Sequence, residues 1–69
     1  MFGERLTQLR RRRGLTQAQL ARLAGLTQQG ICLLEQGKRR PLLETCQKLA
    51  NALEVDPVEL LKEPTANAA

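Results

Sequence analysis

The stretch Thr16-Gln17-Ala18-Gln19-Leu20-Ala21-Arg22-Leu23-Ala24-Gly25-Leu26-Thr27-Gln28-Gln29-Gly30-Ile31-Cys32-Leu33-Leu34-Glu35 decides how this chain folds. It opens with capping-box spacing. The Thr16 hydroxyl is placed to accept from the Gln19 backbone and the Gln19 side chain to reach back, with Leu15 and Leu20 as the flanking hydrophobic staple. A helix over about 17–24 follows. Gly25 ends it by taking positive φ, and Leu26-Thr27 restarts the chain: Thr27 caps a second helix over about 28–36, and Leu26 with Ile31 repeats the staple. Ala21 faces the second helix where the two cross at a steep angle, because only a small side chain lets them approach. Ile31 and Leu34 then lock that second helix into a core.

Outward from this pair, Phe2, Leu6 and Leu9 stand at i, i+4 and i+7 and predict a helix over about 3–13, ended by Gly14. Gly37 stops the helix that Thr27 began. Beyond the basic loop Lys38-Arg39-Arg40-Pro41, the residues Leu43, Cys46, Leu49, Ala50 and Leu53 trace one face of a fourth helix. Leu42 stands where a capping Ser or Thr is expected. Asp56-Pro57-Val58-Glu59 is a stronger start: an N-cap Asp, Pro at the first helical position, Glu three residues after the cap, and Val55 opposite Leu60 as staple. The fifth helix covers about 57–62. Strand signals and internal repeats are absent, so the expectation is an all-α, compact five-helix domain over residues 1–63 with a flexible tail over 64–69.

Composition narrows the function. In 69 residues there is no His, Trp or Tyr and one Phe, so the core must be built almost wholly from Leu, Ile, Val and Ala. A chain this short buries only about 60% of the surface it exposes when unfolded, which argues against a large substrate cavity. Without His, and with two Cys at an unhelpful spacing, no Ser-His-Asp or Cys-His nucleophile, zinc finger or His-based metal site can be assembled. The reading is therefore not an enzyme, with no cofactor, no metal and no small-molecule substrate. A membrane span needs about 18 consecutive apolar residues and a secretory signal an apolar stretch after its basic start; neither is present, which reads as cytoplasmic. Cys32 and Cys46 then read as free thiols. The net charge of +4 hides a split at Pro41: residues 1–40 carry +7 and residues 41–69 carry −3. One part of the molecule is suited to a polyanion and the other is not.

The unit Gln17 to Glu35, with its small residue, then Gly, then two buried aliphatics, resembles the helix-turn-helix motif. The five-helix frame around it is similar to the phage repressor and Cro family of DNA-binding domains, the XRE-type or lambda-repressor-like transcriptional regulators. The resemblance covers roughly residues 3–62, nearly the whole chain. It implies that the second and third helices form the motif, and that the N-terminal residues of the third enter the major groove of double-stranded DNA. Gln28 and Gln29 are then the base readers, a Gln amide matching the donor and acceptor edge of adenine; the competing reading is two solvated surface amides. Gln17, at the N-terminus of the second helix, corresponds to a phosphate contact, as helix N-termini favour anions. Thr27, Lys38, Arg39 and Arg40 are further phosphate candidates, with minor-groove insertion open as an alternative for the loop arginines.

The run Arg10 to Arg13 is not one patch, since successive helical residues point about 100° apart. In the resembling proteins an Arg at the place of Arg10 pairs with a Glu late in the third helix, here Glu35. Arg11 is a phosphate candidate; for it, Arg12 and Arg13, solvated charge that suits the helix dipole is an equal alternative. Gly30 and Leu33 depart from the family pattern. Gly30 either admits close DNA approach or is tolerated at a cost of about 1 kcal/mol relative to Ala. Leu33, on the expected outward face, has three readings: contact with a thymine methyl, an ordinary exposed Leu, or part of a protein contact.

The family usually works in pairs, with recognition helices about 34 Å apart on a palindromic operator. Val55, Val58 and Leu61, in the acidic half, are the expected homodimer surface. The leading expectation is a dimeric, sequence-specific DNA binder that represses transcription. The alternative is an antitoxin-like or adaptor protein whose main partner is another protein.

Overall fold

The computed structural model describes residues 2–62, and the caps place its helices. Five form: α1 (Phe2–Arg12), α2 (Gln17–Ala24), α3 (Gln28–Glu35), α4 (Leu43–Leu53) and α5 (Pro57–Leu61), with no strand among the described residues. The capping box at Thr16 is complete: its hydroxyl accepts from the Gln19 amide at 3.0 Å, and Gln19 Oε1 accepts from the Thr16 amide at 2.8 Å. Gly25 takes φ 71°, and the Leu26 amide donates back to the Ala21 carbonyl at 2.8 Å, closing α2 and turning the chain into α3. Thr27 caps α3 by accepting from the Gly30 amide at 3.0 Å, and Asp56 caps α5 by accepting from the Val58 amide at 3.0 Å. Four helix bounds, both ends of α1 and the last residues of α3 and α5, differ by one residue from those expected, which is within the fraying of helix ends.

Every helix contributes to one core. Leu6, Leu20, Ile31, Leu49, Leu53 and Leu60 have no solvent exposure, and each such side chain stabilises by about 1.5–3 kcal/mol relative to leaving it exposed. Ala21 of α2 is buried in this core, where its small side chain was expected. Phe2, Leu15, Leu26 and Val55 close the edges. α1 packs on both α3 and α5, while α4 packs on α2 and α5.

The structure corrects two local readings and adds three. Leu43 is 75% exposed; the buried seam of α4 begins one turn later, at Cys46. Periodicity gives the direction of a side chain around a helix and not how far the neighbouring helices extend along it. Glu59 does not reach back to its cap. Its carboxylate instead accepts from Arg5 at 3.0 Å and from Lys62 at 2.9 Å. Arg5 itself is buried, donating from Nε to the Glu59 carbonyl at 2.9 Å and from Nη1 to Gln8 Oε1 at 3.3 Å. Gly3 is a close-approach site, since a Cβ there would lie 2.5 Å from the Glu35 carbonyl oxygen and 2.7 Å from that of Leu34. α4 ends in a left-handed residue that is not glycine, Glu54 at φ 58°. The expected tail over 64–69 lies outside the described residues.

Candidate nucleic-acid interface

α3 is held from behind by Ile31 and Leu34, which are buried, and so its first turn faces outward. Gln28 and Gln29 are exposed there, with Thr27 beside them. Gly30 is buried: a Cβ would sit 3.1 Å from Thr27 Oγ1 and 3.7 Å from Arg39 Nη1. The missing side chain leaves room for the cap and for the basic loop. Leu33 is half-buried, so part of its surface is committed to the protein.

The loop after α3 brings Arg39 and Arg40 next to Thr27 around an open groove of about 550 Å³, lined also by Leu26, Gly30 and Leu34. Lys38, Arg39 and Arg40 are exposed and, among the described residues, form no ion pair, nor do Arg11 and Arg22. Their charge is available to a polyanion. Other basic residues of the first half are turned elsewhere. Arg5 holds Glu59, and Arg13 lies 3.8 Å from the Glu54 carboxylate and donates to the Glu54 carbonyl at 3.2 Å. The charge split of the sequence is thus partly cancelled along the seam between α1 and the α4–α5 end.

Beneath the outward face, Glu35 joins three helices. Arg10 donates from Nε to Glu35 Oε2 at 2.6 Å and from Nη2 to Oε1 at 3.2 Å, and its Nη1 donates to the Leu15 carbonyl at 2.8 Å. The two side chains are only 11% and 7% exposed. Gln17 Nε2 adds a bond of 3.0 Å to Glu35 Oε1. Burial pushes the Glu35 carboxyl up, but bonds from Arg10 and Gln17, the Arg10 charge and a smaller contribution from Thr7 outweigh it and hold the carboxyl below its ordinary value. Gln17 therefore stands at the N-terminus of α2 with its amide plane fixed, close to where free backbone amides gather.

Of the expected dimer residues, Val58 and Leu61 are 57% and 70% exposed, whereas Val55 is half-buried against the core. Both cysteines are free, and burial pushes the Cys46 thiol up. Among the described residues no cluster of His, Cys, Asp and Glu is placed to hold a metal, and no helix is long and apolar enough to cross a membrane.

Comparison with known proteins follows the same outline. A family model described as helix-turn-helix matches residues 6–60. This chain belongs to that helix-turn-helix family. Within it, an HTH-type transcriptional regulator of Sinorhizobium fredii, y4dJ, is 41% identical over 61 residues, covering 88% of this chain and 79% of that protein. The fold superposes on the restriction-modification controller protein C.AhdI of Aeromonas hydrophila with a TM-score of 0.84 at 44% identity, over 86% of this chain and 89% of the other. It also superposes on the DNA-binding domain of the P22 C2 repressor with a TM-score of 0.86 at 31% identity, over 90% and 82% of the two chains. Other relatives are longer, and this chain spans 34% to 57% of their length. These relatives are regulators, not enzymes.

Sequence reading did not find Arg5, although a signal was present. It stands beside Leu6 and four residues before Leu9, and a charge next to an apolar stripe calls for a partner.

Proposed function

We propose that this helix-turn-helix protein binds specific double-stranded DNA as a homodimer on a palindromic operator and represses transcription there, in the cytoplasm. The observation that carries the reading is the outward first turn of α3: Gln28 and Gln29 are exposed there, and their neighbours Thr27 and Gly30 share a groove with Arg39 and Arg40 of the basic loop. The glutamines read base edges. Thr27, Gln17, Arg11 and the loop cations hold phosphates and set the register, which carries no base code. Leu33, half-buried and one turn after Gln29, offers an apolar edge to a thymine methyl. Val58 and Leu61, with the edge of Val55, supply the contact between two copies, so that two weak readings combine on one operator.

Selection of bound sequences from a random DNA pool tests this. Wild type is expected to enrich a palindrome. Gln28→Ala and Gln29→Ala are each expected to relax preference at one position of the half-site, by about 1–3 kcal/mol of discrimination. An enriched site unchanged by both variants removes the glutamines as readers. If nothing enriches, DNA is not the main ligand, and the adaptor or antitoxin-like reading takes precedence.

A further inference from the structure

α5 is a helix of five residues with one fully buried anchor, Leu60. Packing on α4 and the half-buried Val55 hold α5 from one side, and a single apolar anchor leaves its facing toward α1 to polar contacts. On that side it is held by Arg5. Its guanidinium is held within the protein at 5% exposure for the residue and takes two different oxygens of Glu59: the backbone carbonyl at 2.9 Å and the carboxylate at 3.0 Å. A third arm donates to Gln8 on its own helix, which locks the guanidinium plane. Val58 and Leu61, which flank Glu59 and Leu60 in α5, are thereby aimed outward at a set angle. The other side of α1 is fixed just as firmly to α3, through the close approach of Gly3 and the Arg10–Glu35 pair. α1 is a brace with α5 on one side and the recognition helix on the other.

We propose that Arg5 is a positioning residue for DNA recognition: by orienting α5 it sets the angle between paired copies, and through α1 the spacing of their two α3 helices. The inference rests on the dimer reading above. Its consequence is that loss of Arg5 leaves each reading head intact and misaligns the pair. Two-site binding gains over one-site binding only when the geometry lets both sites engage together.

The experiment uses the full chain and duplexes built on the sequence that wild type selects: one half-site, the full palindrome, and palindromes with one or two base pairs added or removed between the half-sites. Wild type is expected to prefer one spacing. In Arg5→Gln, full-site affinity is expected to fall about tenfold while half-site affinity stays within about twofold, and the spacing preference to flatten. Arg5→Lys is expected to flatten it as well, since one ammonium on a flexible stem cannot hold both oxygens in fixed geometry. Glu59→Gln, which keeps the carbonyl arm and removes only the charge, covers the case in which Arg5→Gln unfolds; it is expected to weaken the spacing preference in a chain whose thermal melt stays cooperative. Equal losses on half and full sites, or an unchanged spacing preference in the folded variants, overturn the proposal. A wild type that binds half and full sites alike removes the dimer reading itself, and this inference with it.

Discussion

Glu35 carries opposing electrostatic demands within one carboxylate. It is buried, which favours the neutral acid, yet it accepts two bonds from Arg10 and one from Gln17, which favour the anion and prevail. Its folded pKa lies below its unfolded one. The stabilisation from this group is therefore complete above the unfolded carboxyl range, about 4.3, and is lost as pH falls through the lower folded value. Replacing Glu35 by Ala leaves the Arg10 guanidinium buried without its counter-charge, a change that costs about 3–5 kcal/mol. Urea unfolding at neutral pH is expected to show that loss, and the gap between wild type and Glu35→Ala to narrow as the medium becomes strongly acid. A gap independent of pH contradicts the assignment. The Arg10–Glu35 pair was legible through the family resemblance. The Gln17 bond was not, because it joins residues 18 apart in the chain whose meeting depends on how α2 and α3 cross.

Helix bounds follow from a few neighbouring residues, and that is why the caps at Thr16, Thr27 and Asp56 could be read directly. The ends that escaped are those where the local rule is broken. Glu54 closes α4 in the left-handed region, where an L side chain costs roughly 1–2 kcal/mol and glycine nothing comparable. Glycine loses more backbone freedom on folding, and the exposed Arg13 contact is worth little, so Glu54→Gly is expected to raise stability by about 0.5–1 kcal/mol. Gly3 is the reverse case. Its missing side chain lets α1 lie directly on the carbonyl end of α3, and Gly3→Ala must separate the two helices at a cost of about 1–3 kcal/mol despite alanine's better helix propensity. Thermal melts of the two variants shifting in opposite directions confirm both readings; a more stable Gly3→Ala shows that the contact yields.

For the molecule as a whole, free cations gather at the loop after α3, next to the exposed Leu42 and Leu43, and a second exposed aliphatic pair, Val58 and Leu61, lies on α5. If a dimer makes 6 to 8 phosphate contacts, log K is expected to fall with log salt at a slope of about −5 to −7, measured by DNA titration at several salt concentrations. A slope near zero rules out the electrostatic grip. Val58→Glu together with Leu61→Glu is expected to yield monomers in sedimentation and to remove the advantage of a full operator, with the melt little altered because both side chains are exposed. The amino-acid sequence by itself determined five helices, the turn at Gly25 and the basic sign of the first forty residues, since caps, periodicity and charge are properties of near neighbours; the place of Gln28 and Gln29 came with the family resemblance. Only the tertiary structure decided which cations remain free. Arg5 and Arg13 count toward the basic half on paper, but helix packing brings them to Glu59 and Glu54, and pairing between residues 54 and 41 positions apart is set by packing geometry rather than by local pattern.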